Sequence, residues 1–297
     1  MAGFPSSKNT KYHNRSNSLP SRPHPLISQC DEHLTRLRVF YSTSASSSSS
    51  SISQQLSGLE DLHESVEKLL LLPSIQEAFV RHCGEKWVDE LLDGSLRLLD
   101  MCSSAKDALI HTKECVRELH SAIRRRSEMT NEVQKYLASR KVVKRAIQKA
   151  LDTNKSIESK SNTTLNGSDY DITAMVSLLK EVEAISVRLF ESLLFLISGK
   201  KTKAKSSWSI LSVMRSKREV CPEVDAELNE FSNMDNALSS VTCQKTNKCK
   251  DTTQVFENVQ KHLEKLDLGN QDLEQTTERL FRRLIKTRVS LLNILSN

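Results

Sequence analysis

The chain has 297 residues, enough for one or two domains with a real hydrophobic core. Its 7 Gly, 6 Pro and 5% aromatic residues set few turns, which argues against short strands joined by tight loops and for long helices. The formal net charge of +6, from 43 basic and 37 acidic residues, is too mild to demand nucleic acid, and no specific nucleic-acid partner is predicted. The expected fold class is all-α: an elongated multi-helix bundle behind a disordered N-terminal tail.

Residues 1–25 combine polar side chains with Pro5, Pro20, Pro23 and Pro25, so helix cannot propagate there and a disordered tail is predicted. Within 26–51, Leu26, Ile27, Cys30, Leu34, Leu37 and Phe40 recur at helical spacing and give a first short helix. The serine run Ser46 to Ser51 then reads as a flexible linker.

A helical domain is expected over 52–297. Leu56, Leu59, Leu62, Val66, Leu69 and Leu70 mark a helix stopped near Pro73, with Ser74 as the cap of a short helix through Val80 and a turn at Cys83-Gly84. Trp87, Val88, Leu91, Leu92, Leu96, Leu98 and Leu99 form a strongly apolar helix, and Trp87 is read as a core or interface anchor. Ala105, Leu109, Val116, Leu119, Ile123, Val133, Leu137 and Ile147 continue one face of a much longer helix.

Residues 152–170, rich in Ser, Asn, Thr and Lys, predict a flexible connection and hinge. A wide apolar stripe from Ile172 to Leu196 follows, closed by Gly199 and a basic loop from Lys200 to Ser207. The last third holds an apolar patch at Trp208 to Met214, an acidic helix after Pro222, a linker from Cys243 to Thr252, and two helical segments split near Gly269.

The chemistry-bearing motifs are sparse. No glycine-rich phosphate loop, Gly-x-Ser-x-Gly elbow or His-Glu-x-x-His zinc motif occurs, so no catalytic residue and no cofactor is predicted, and the chain is read as non-enzymatic. Seven cysteines and a start without an apolar signal core point to free thiols inside the cell, in the cytoplasm first, with the nucleus or a membrane surface as alternatives. The stretch Ile185 to Ser198, which carries Arg188 and Glu191, is too short and too charged to span a bilayer. His111 and Cys115, one helical turn apart, are read as a boundary histidine and a small core residue in preference to a metal pair.

Two features stand out. Arg124, Arg125, Arg126, Arg140, Lys141, Lys144 and Arg145 make a basic helix face, whereas Pro222 to Thr242 carries five acidic residues and no basic one. Three readings of the basic face are open: a solvated surface, which comes first; an attractor of anionic lipid or nucleic acid; and a partner for the acidic helix. In the tail, Arg15 stands three residues before Ser18 and Pro20 two after it, a pattern that 14-3-3 proteins read once a basophilic kinase has acted. Phosphate at Ser18 would add nearly two negative charges for an arginine cluster on a partner to hold.

Four blocks in order also carry a resemblance. Tyr12–Leu26 (YHNRSNSLPSRPHPL), Lys86–Asp100 (KWVDELLDGSLRLLD), Leu178–Ser186 (LLKEVEAIS) and Leu280–Leu295 (LFRRLIKTRVSLLNIL) resemble the plant domain-of-unknown-function family related to the BYPASS proteins. The resemblance spans essentially the whole chain. It implies a plant interaction protein linked to root and shoot development and signalling, and it brings no catalytic residues with it.

Overall fold

The computed structural model describes residues 24–43, 48–82, 84–125, 129–158, 170–200, 229–243 and 252–296. Among them the chain forms eight helices and no strand: α1 Pro25–Thr43, α2 Ser49–Leu70, α3 Pro73–Arg81, α4 Lys86–Arg125, α5 Met129–Glu158, α6 Tyr170–Ser198, α7 Glu230–Cys243 and α8 Thr252–Ser296. Residues 1–23 of the predicted tail, Arg126, and residues 201–228 and 244–251 lie outside the described residues, and the end of the tail differs from expectation because Pro25 opens α1, a first position where its missing N–H costs nothing.

Four helices form the centre of the bundle, each with an apolar stripe turned toward the others, while α1 packs on α2 and α5 on α4 and add to the same core. Going round the bundle, α2 packs on α8, α8 on α4, α4 on α6 and α6 back on α2. Cross-links between the helices fix their directions. Ser53 with Thr276 and Arg283 with Glu64 run α2 parallel to α8. Glu274 with Lys113 and Glu278 with Lys106 run α4 antiparallel to α8. Glu90 with Lys180 and Arg97 with Glu183 run α6 parallel to α4. Leu56, Leu59, Leu62, Leu109, Phe190 and Leu263 are fully buried within.

The bundle is elongated because α8, with 45 residues, is about 67 Å long, whereas α2 has 22. Beyond the start of α2, α7 takes its place against α8, and the two N-termini meet. There the Glu230 carboxylate accepts the Ser49 N–H at 3.2 and 3.3 Å, placing a negative charge at the positive ends of both helices.

Several boundaries differ from the sequence expectations. The face from Ala105 to Ile147 belongs to two helices, since α4 ends at Arg125 and α5 returns antiparallel from Met129 with Ser139 beside Cys115. Folding back buries Val133, Tyr136, Val143 and Ile147, which one straight helix would leave without a partner. The serine linker is shorter than expected: Ser48 caps α2 by accepting the Ser51 N–H at 3.2 Å, so Ser49–Ser51 are helical. Leu72, not Ser74, precedes α3, and Pro73 occupies the first helical position, where its missing N–H costs nothing. The connection expected at 152–170 starts later, because α5 continues to Glu158 and buries Asn154 against Glu191.

Two glycines behave in opposite ways. Gly199 ends α6 as expected, with φ of 71° and the Lys200 N–H donating back to the Phe195 carbonyl at 3.2 Å. Gly269 does not split the last helix, and α8 runs through it. A Cβ there would stand 2.7 Å from the Ser49 Oγ, so this glycine serves the close approach of α2 and not a break.

Candidate functional site

The site is built on α5. Arg140, placed by its sequence among solvated basic residues, is 2% exposed and faces inward, a correction to the predicted patch. Its Nε donates to Asp235 Oδ1 at 3.0 Å and its Nη2 to the Ile197 carbonyl at 2.7 Å. Lys144, one turn on, adds a second cation to Asp235 at 2.9 Å. The guanidinium also sits 5.5 Å from the centre of the Phe231 ring. The physical reason is pairing: a guanidinium enters a core only with a carboxylate and carbonyls to take its N–H groups, and α7 and the end of α6 supply both. Of the three readings, pairing with the acidic helix therefore holds for Arg140 and Lys144.

The pairing is incomplete. Arg140 Nη1 and the Tyr136 hydroxyl, one helical turn apart, are buried with no hydrogen-bond partner among the described residues. Burial pushes the Tyr136 hydroxyl upward in pKa, with Asp235 acting in the same direction and Arg140 opposing it. The pocket under α7 is thus rich in donors, and one carboxylate serves it.

The other predicted residues separate cleanly. Arg124, Arg125, Lys141 and Arg145 are exposed and make no ion pair with the described residues. Lys141, Arg145 and Lys149 stand one turn apart on the outer face of α5, beside Val142, which is 56% exposed. Arg126 and the tail group Arg15, Ser18 and Pro20 lie outside the described residues. Lys200 reaches Gln148 of α5 at 2.5 Å, so the start of the basic loop adjoins this face.

His111 and Cys115 do meet a third side chain. The Ser139 hydroxyl lies 2.7 Å from His111 Nε2 and 2.9 Å from Cys115 Sγ, a polar tie between α4 and α5. Burial raises the thiol pKa, and among the described residues no group of His, Cys, Asp and Glu is arranged to hold a metal.

Three inter-helix groups were invisible in the sequence. Asp235 was covered only by the lack of any basic residue across the acidic stretch. Glu183 pairs with Arg97 between α4 and α6; burial raises its pKa and Arg97 counters this. A Cβ at Gly94 would run into the Glu183 carboxylate, so this glycine leaves room for the ion pair. His63 Nε2 contacts the buried Ser186 Oγ at 3.0 Å, and no motif announces it.

No curated protein and no solved structure matches the chain. A family model described as Protein BPS1 matches residues 55–294, from α2 through α8, and the chain belongs to that plant family, in keeping with its BYPASS-like blocks.

Proposed function

We propose that this chain is a non-enzymatic intracellular regulatory or scaffold protein acting in plant development, with helical surfaces that bind other proteins and a tail switched at Ser18. One observation carries the reading. Polar and ionisable side chains between the helices tie the body together, Arg140 with Asp235, Arg97 with Glu183, His63 with Ser186, and Ser139 with His111 and Cys115, while the buried Tyr136 hydroxyl has no partner among the described residues. Among the described residues, hollows on α1 and along α7 and α8 are open to the surface. Such a body offers faces for partners in place of a reaction chamber.

The tail test is affinity purification of the wild type beside Ser18→Ala from plant cells, with the phosphosites of the bait mapped. Phosphate on Ser18 and a set of partners, 14-3-3 proteins among them, lost in the variant is the expected result. An unmodified Ser18 with identical partner sets removes the switch from the account.

A second reading has its own observation: Lys141, Arg145 and Lys149 form an exposed basic row around Val142, suited to a flat anionic membrane surface. Among the described residues no helix is long and apolar enough to cross a membrane. Flotation with vesicles containing phosphatidylserine should carry the wild type and leave the triple glutamine variant of these three residues behind. Equal flotation with neutral vesicles ends this reading.

A further inference from the structure

The helix α7 has only 14 residues, yet it buries Phe231, Met234 and Leu238 completely. It carries Glu230 and Asp235 and no basic residue, against a seat that contributes Arg140 and Lys144. Its fit is partial. Along its seam with α8 an open hollow remains, lined by Ala237, Ser240, Gln254, Val255, Asn258 and Val259. On the α5 side, the Tyr136 hydroxyl and Arg140 Nη1 are left without acceptors among the described residues.

We infer that the groove between α5, α6 and α8 is a binding site for an acidic amphipathic helix of a partner protein, and that α7 fills it as an internal stand-in. The ligand helix presents apolar side chains at the spacing of Phe231, Met234 and Leu238 and a carboxylate at the place of Asp235. Charge complementarity selects it: two cations and an unpaired hydroxyl line the seat, and α7 supplies a single carboxylate to them. A partner with one more acceptor satisfies the two orphaned donors, and so has an advantage that α7 lacks. Against this stands the covalent attachment of α7, which gives it a high effective concentration at the groove. Exchange therefore favours a partner that is tight or abundant.

The inference rests on the scaffold reading and names the partner class for one of its surfaces. Its test uses the full chain and a fluorescent peptide copying 229–243. The chain carrying Phe231→Ala and Leu238→Ala, whose own helix holds poorly, should bind the peptide at least about tenfold more tightly than the wild type does. A peptide with Asp235→Ala should lose at least about tenfold in affinity. No binding to the weakened chain, with its circular dichroism unchanged, overturns the inference.

If that variant does not fold, hydrogen exchange of the wild type decides. The α7 amides are expected to exchange at least about tenfold faster than those in the middle of α8, through local release. Exchange of α7 only with global unfolding overturns the inference. A failure of either kind leaves partners found by purification intact, whereas a bait that returns none removes the scaffold reading itself.

Discussion

Phe190→Ala is expected to destabilise the protein by about 3–5 kcal/mol and to lower its melting temperature by on the order of 10 °C. Phe190 is 0% exposed in the middle of α6, the helix that touches α2, α4, α5 and α7 as well as α1. Truncation removes a ring from water-free surroundings and leaves a cavity that long, mutually braced helices cannot collapse. Leu292→Ala is the control. It removes a comparable apolar side chain that is 40% exposed on α8, and should change stability by about 0.5 kcal/mol or less. Thermal melts followed by circular dichroism compare the two; equal shifts would mean that α6 is not central to the core.

Acid should weaken the fold through His63. Ser186 Oγ donates to the Val182 carbonyl at 2.6 Å, which leaves its oxygen to accept from His63 Nε2–H at 3.0 Å. His63 Nδ1 is then bare and buried with no partner among the described residues. A proton on it would place a charge in the core near Arg283, so burial first and Arg283 second push the pKa from 6.5 down to about 4. Because the folded pKa lies below the unfolded one, the unfolded chain takes up the proton first. Stability is complete above pH 6.5 and falls as pH drops toward 4, by on the order of 3 kcal/mol once below it.

Glu183, whose pKa is raised by burial, works in the opposite direction at the acid end, so the comparison is made against His63→Leu. The variant keeps the Ser186 bond to Val182 and should lose most of the decline between pH 6.5 and 4 in denaturant titrations. An unchanged decline in the variant would place the acid sensitivity elsewhere.

The all-α class and most helices were readable because apolar side chains recur at helical spacing, as from Leu56 to Leu70 and from Met175 to Leu196, and Gly199 ended its helix as its backbone freedom allows. What the sequence hid is long-range. Whether Ala105 to Ile147 is one helix or two depends on partners for Val133 and Tyr136 that only the packed bundle supplies. Gly269 looks like a stop, but its role is set by Ser49, far away in the chain. Arg140 belongs by spacing to the same basic run as Lys141 and Arg145, and only Asp235 on α7 distinguishes the buried cation from the solvated ones. The family blocks at 86–100, 178–186 and 280–295 fall on α4, α6 and α8, three of the four central helices, which explains why they read clearly.

The proposed role in holding other proteins is tested most directly by purification of the full chain from plant cells after mild lysine cross-linking. A reproducible partner set is expected, with a cross-link falling on Lys144, the lysine that pairs with Asp235 at the α7 groove. A bait recovered alone in repeated preparations would contradict it.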